Sequence, residues 1–101
     1  MKNDYLLRVT PDYEADKKEI LRYLASKLFN QQAAILQDEA FTDSESLILS
    51  EPESYAIYKK IAGQDIRRKI ARNYEIFYFI DGNRIILTRI LHGSQDFLKN
   101  Y

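Results

Sequence analysis

Arg67–Gly93 reads RRKIARNYEIFYFIDGNRIILTRILHG, and this stretch decides the fold because it holds the longest apolar runs, the clearest turn and the only histidine. Tyr74–Ile80 and Arg84–Leu91 are rich in aromatic and β-branched residues, which suit a pleated, half-buried surface. Between them stands Asp81-Gly82-Asn83, where Gly and Asn tolerate the positive φ of a tight hairpin. Arg67–Arg72 has the length of a third, more polar strand, and the chain is expected to reverse at Asn73, a residue that takes left-handed conformations readily. Three consecutive antiparallel strands follow. Tyr74–Ile80 carries Tyr74, Ile76, Tyr78 and Ile80 on one face and Glu75, Phe77 and Phe79 on the other, the pattern of a strand buried on both sides. A chain this short supplies helices for one face of a small sheet, which leaves Phe77, Phe79 and their cross-strand neighbours to a partner or ligand.

Working outward, Tyr5–Val9 is a short apolar run that stops at Thr10-Pro11-Asp12. This triplet is a helix start, with Thr as N-cap and Pro at the first helical position. Tyr13, Ile20, Leu24 and Leu28 then recur at helical spacing, broadened by Leu21 and Tyr23, while Glu14, Asp16, Lys17, Lys18 and Glu19 fill the outer face. Phe29-Asn30 breaks the pattern. Asn30 caps a second helix whose inner face is expected at Ala33, Leu36, Ala40 and Leu47 with Phe41 and Ile48, ending before Pro52. Two amphipathic helices with so short a link form an antiparallel hairpin. Glu53–Gln64 reads as a connecting segment pinned by Tyr55, Ile57, Tyr58 and Ile61. Ser94–Tyr101 reads as a polar tail able to make one helical turn, with Phe97 and Leu98 packed down. The expected fold class is α+β, in the order β-α-α-β-β-β. Its antiparallel sheet is covered on one face by the helical hairpin, and the N-terminal strand lies against the last long one.

The 101 residues make one domain, long enough to bury a core without staples. The absence of cysteine and the single histidine exclude disulfides and a Cys/His zinc site. No cofactor or metal is expected. The start, MKNDYLLRVT, lacks the apolar core of a signal peptide and no stretch approaches membrane-spanning length, so a cytoplasmic protein is expected. Fifteen basic and fifteen acidic residues balance, which argues against a protein whose main business is wrapping nucleic acid. The charges are nonetheless segregated. Asp38–Ser54 is acidic without a basic residue, whereas Lys59, Lys60, Arg67, Arg68, Lys69 and Arg72 face Asp65 alone.

In element order and local pattern the chain resembles the RelE/ParE toxins of bacterial type II toxin–antitoxin modules, on the ParE-like side. The residues carrying the resemblance are Ala15-Asp16 with Ile20 and Tyr23, the Asn30…Ala33 start and Leu49…Pro52 end of the second helix, Tyr74…Tyr78 with Asp81, and Arg89-Ile90-Leu91-His92-Gly93…Asp96. The resemblance implies a toxin neutralised by an antitoxin of the ParD or RelB kind, whose C-terminal segment lies over the sheet face near Glu75, Phe77, Phe79 and Ile86. It implies one of two targets: DNA gyrase, bound without cleavage, or the ribosome and its mRNA, cut by an endonuclease.

Cleaving RNA needs a base, cations for the phosphorane charge and an acid for the leaving oxygen. His92, Arg68 and Arg89, and Tyr74 or Tyr101 nominally supply them. The ribonuclease-type relatives, however, carry a phosphate-stabilising Arg where this chain has Glu75, and an acid there repels a scissile phosphate. They place a catalytic histidine at the position of Gly93, one residue after His92 and so on the other face of the strand, or an Arg at the position of Gln95. Arg68 alone keeps its cation. The residues therefore point to a binder, with Arg68, Arg72, Arg89, His92 and Asp96 as the expected target surface. His92 is expected to bond a neighbouring backbone group or Asp96, and Arg89 an acid across the sheet.

Overall fold

A computed structural model of the chain describes residues 4–27 and 29–93. The order is β1 (Leu6–Val9), α1 (Pro11–Arg22), a π-helical turn (Tyr23–Lys27), α2 (Gln31–Ser50), β2 (Ile57–Ile61), β3 (Gln64–Ala71), β4 (Tyr74–Asp81) and β5 (Arg84–His92). The strands form one sheet in the order β1-β5-β4-β3-β2. β1 lies against β5 as expected but runs parallel to it, with Leu6 opposite Arg84 and Val9 opposite Leu87, so the sheet is mixed and only its other pairings are antiparallel.

The helix caps are those the sequence announces. Thr10 Oγ1 accepts the Tyr13 N–H at 3.1 Å and donates to the Thr88 carbonyl at 2.8 Å, so one hydroxyl both starts α1 and clips it to β5. Asn30 Oδ1 accepts the Ala33 N–H at 3.0 Å. α2 packs on a different row from the one expected: Ala34, Gln37, Phe41, Ser44 and Ile48 are buried, while Leu36 and Leu47 are exposed. The reason is Gln37, whose amide donates to the Ala71 carbonyl at 2.9 Å and so earns an inward place that apolar periodicity alone does not assign.

The connecting segment expected at Glu53–Gln64 contains β2. Ala62 (φ 51°) and Gly63 (φ 79°) close a two-residue hairpin between Ile61 and Gln64, and both take the left-handed conformation such a loop requires. β3 accordingly begins at Gln64, three residues before the expected start. The β3–β4 reversal is also a two-residue loop, but the left-handed residue is Arg72 (φ 61°), not Asn73.

The core is two-sided. Between helices and sheet lie Tyr13, Phe41, Ile48, Ala71, Ile76, Tyr78, Ile85, Leu87 and Ile90. A fully buried side chain of the size of Phe41 contributes about 1.5–3 kcal/mol. The polar tips are bonded: Tyr78 donates to the Pro52 carbonyl and Tyr13 to Glu45, each at 2.6 Å. On the far face Ile66, Phe77 and Leu91 form a smaller cluster with Tyr58, Ile61 and Phe79. Phe77, expected to be left for a partner, is only 2 % exposed. The strand missing from the sequence reading is what covers it, since β2 brings the Tyr58 ring edge-on at 5.3 Å and 71°.

Candidate functional site

A bulge governs which residues share a face. Phe79 pairs with Ile86 and Tyr78 with Leu87, but Phe77 pairs with Arg89, so Thr88 is the extra residue, its hydroxyl donating to the Phe77 carbonyl at 3.1 Å. Beyond it the alternation is shifted by one. Arg89 and Leu91 take the far face, while Ile90 and His92 turn to the helices.

The far face thus presents Arg8 opposite Ile86 and Phe79 in one row, Arg89, Phe77 and Arg68 in the next, and Leu91, Glu75 and Ile70 in the third. Arg68 Nη1 donates to Glu75 Oε1 at 3.1 Å, and the guanidinium lies 5.0 Å from the Tyr58 ring centre. This pair keeps the cation but spends its charge on an internal carboxylate. Gly93 adjoins it: a Cβ there would come 3.3 Å from Glu75 Oε2. Phe79 and Ile86 are half-buried and Ile70 is exposed, so the accessible apolar surface is centred on those three.

Arg89 sits at the edge. β1 ends opposite Leu87, and along the uncovered part of β5 passes α1, whose Asp16 accepts Arg89 Nε at 2.7 Å, Arg89 Nη2 at 3.1 Å and the Ile90 N–H at 2.9 Å. The acid expected across the sheet comes from a helix instead. Its hydrogen bonds hold the Arg89 pKa above the ordinary value, against the opposing effect of burial.

His92 faces Tyr74 across the β4–β5 pairing, their rings edge to face at 5.4 Å and 85°. With Tyr23, Leu24, Ala33, Gln37, Arg72 and Asn73 they line a cavity of about 310 Å³ between the hairpin of helices and the β3–β4 loop. Burial, and then the neighbouring Tyr23 phenol, push the Tyr74 pKa up. The expected residues therefore fall into two groups on opposite sides of the sheet, Arg68 with Glu75, Phe77, Phe79 and Ile86, and Arg72 with His92, while Arg89 is bound to α1 between them. Asp96, Tyr101 and the tail expected to pack through Phe97 and Leu98 lie outside the described residues.

Sequence reasoning gave Asp16 no bonding role and did not place Tyr23 or Gln37 at a site. Their signals were weak: one acid on a helix face, and one glutamine at helical spacing from Phe41. Among the described residues no cluster of His, Asp and Glu is arranged to hold a metal, and no helix is long and apolar enough to cross a membrane.

The family model described as the ParE toxin of the type II toxin–antitoxin system parDE matches residues 7–97. The chain belongs to the ParE toxin family. No curated protein sequence matches this ParE-family chain. Among solved structures it resembles a chain of the chromosomal ParDE toxin–antitoxin system from P. aeruginosa, at TM-score 0.73 and 13% identity, over 90% of this chain and 98% of that one. It also resembles a chain of the archaeal RelE–RelB complex from Pyrococcus horikoshii OT3, at TM-score 0.60 and 12% identity, over 92% of this chain and 99% of that one. At such identities these likenesses establish the α+β fold that the ParE-family chain shares with both.

Proposed function

We propose that this ParE-type toxin acts in the cytoplasm by binding DNA gyrase rather than by cutting RNA, and that a cognate antitoxin neutralises it by laying an extended segment over the far face of the sheet. The observation that carries the binding reading is the Arg68–Glu75 pair at 3.1 Å. A scissile phosphate brought to Arg68 meets a carboxylate in the place where the ribonuclease-type relatives have a cation, and the developing charge is repelled. His92 gives no relief, because the Thr88 bulge leaves it on the opposite side of the sheet from Arg68. Gly93, the position of the histidine in those relatives, lies against Glu75 with no side chain of its own.

The antitoxin reading rests on the composition of the same face. Phe79, Ile86 and Ile70 offer alternating apolar positions, and Arg8, which among the described residues is paired with no acid, lies beside Ile86, so the fitting partner is an apolar segment that brings an acid to Arg8. Toxin and antitoxin then form a hetero-oligomer.

The test is induction of the toxin without antitoxin in growing cells, with DNA synthesis and translation followed separately by pulse labelling. DNA synthesis is expected to stop first while translation continues. Early loss of translation with new mRNA ends overturns the reading in favour of a ribosome-dependent endonuclease, and unimpaired growth overturns toxicity itself.

A further inference from the structure

We propose that the cavity between the helical hairpin and the β3–β4 loop is a binding site for a phosphorylated aromatic ligand of mononucleotide size. Its volume, about 310 Å³, falls at the lower end of small-molecule sites. Among the described residues the rings of Tyr23, Tyr74 and His92 line it. Leu24 and Ala33 supply apolar wall, Gln37 and Asn73 supply amides for the edge of a base, and no carboxylate is among the described lining residues.

The cation is Arg72, and two independent observations single it out. Alone among the arginines of the described residues it makes no hydrogen bond or ion pair; Arg8, Arg22, Arg67, Arg68, Arg84 and Arg89 each have a protein partner. It also holds a left-handed backbone conformation at φ 61°, the value that Gly82 takes in the next hairpin loop. Two loops of the same length thus carry glycine in one case and arginine in the other. An L-residue is disfavoured there, and such strain is retained at sites where the side chain has a task. The hydroxyls of Tyr23 and Tyr74, likewise without a hydrogen bond among the described residues, are close enough for the first to raise the pKa of the second. Two phenol donors and a guanidinium beside aromatic rings match a phosphate attached to an aromatic base. The site lies across the sheet from the proposed antitoxin face and does not depend on what the toxin targets.

The shared chemistry has two sources, a free nucleotide or the phosphorylated end of a nucleic acid. The test is a titration of the isotope-labelled full-length protein, read by NMR, with adenosine and uridine monophosphates, adenosine, inorganic phosphate, and a short oligonucleotide with and without a 5′-phosphate. Mononucleotides are expected to shift the signals of Tyr23, Gln37, Arg72, Tyr74 and His92 and to bind at least about tenfold more tightly than adenosine or phosphate, one charge-assisted contact being worth that much. Tighter binding of the phosphorylated oligonucleotide identifies a nucleic-acid end, and equal binding a free nucleotide. Arg72→Gly is expected to weaken binding at least about tenfold while its melting temperature does not fall, because glycine suits the loop. No shifts at about 10 mM mononucleotide, well above ordinary cellular affinities, overturn the proposal. So do shifts confined to the Arg68 face, or unchanged binding by the glycine variant.

Discussion

Removing the Asp16 carboxylate, as Asp16→Ala, tests how α1 is fastened to the sheet. The carboxylate accepts three bonds, two from the Arg89 guanidinium and one from the Ile90 N–H. Its loss strands the Ile90 N–H and takes two charged hydrogen bonds from the Arg89 guanidinium. The side chains of Arg89 and Asp16 are 20 % and 17 % exposed, which places the pair between the surface and buried limits. Exposed pairs contribute about 0–1 kcal/mol, and breaking a buried one costs about 3–5 kcal/mol. An intermediate cost of about 2–3 kcal/mol also matches one charged hydrogen bond plus a stranded donor. For a domain of this size that lowers the melting temperature by roughly 10–20 °C. Urea denaturation of the wild type, Asp16→Asn, Arg89→Met and the double variant isolates the pairwise part, expected to exceed about 1 kcal/mol. A total loss under about 0.5 kcal/mol for Asp16→Ala, or additive single effects, refutes the view that the bridge fastens the helix.

The other predictions concern the loops, the tyrosines and the partner face. Ala62→Asn creates Asn-Gly in the β2–β3 loop, whose two residues both have positive φ, and is expected to stabilise the protein by about 0.5–1 kcal/mol in urea denaturation. Burial pushes Tyr78 up to about 12 and Tyr13 higher still, with Glu45 adding to the shift of Tyr13. A folded pKa above the unfolded value means that stability is fully present below pH 10 and falls as pH rises through 10 toward 12, at about 1.4 kcal/mol per pH unit for each such tyrosine. Urea midpoints measured from pH 8 to 11 check this, and Tyr78→Phe should make the decline shallower. Phe79→Asp with Ile86→Asp is expected to abolish rescue by the co-expressed antitoxin while growth arrest persists.

The fold was legible wherever local chemistry and burial agree. The Gly82-Asn83 hairpin, the Thr10 and Asn30 caps and the two-sided β4 each follow from residues within a few positions of one another. β2 was not, because its loop uses Ala62 at a position where asparagine or glycine is the usual signal, and because Lys59-Lys60 interrupts the apolar run. The lysines have their own reason: β2 is an edge strand, and charges with a bulge after Ile57 discourage pairing with another chain. The same misreading propagated to Phe77, since a strand that is not foreseen cannot be foreseen to cover a neighbour.

At the site, sequence supplied the residues but not their grouping, and the decisive feature was one inserted residue. Strict alternation from Ile86 assigns Thr88, Ile90 and His92 to the far face, beside Phe79 and Arg68. Thr88 satisfies its own hydroxyl on the Phe77 carbonyl, its carbonyl accepts the Thr10 hydroxyl, and everything after the bulge changes sides. Arg89 thereby comes to the edge where Asp16 can reach it, Ile90 enters the core, and His92 joins Tyr74 and Arg72. A bulge of this kind leaves no pattern in a single sequence, because threonine is equally at home in a regular strand. Its consequence for function is large: the ring and the cations that look in sequence like one catalytic set are divided between two surfaces. One face is left suited to an acidic, apolar segment, and the other to an anion held beside rings.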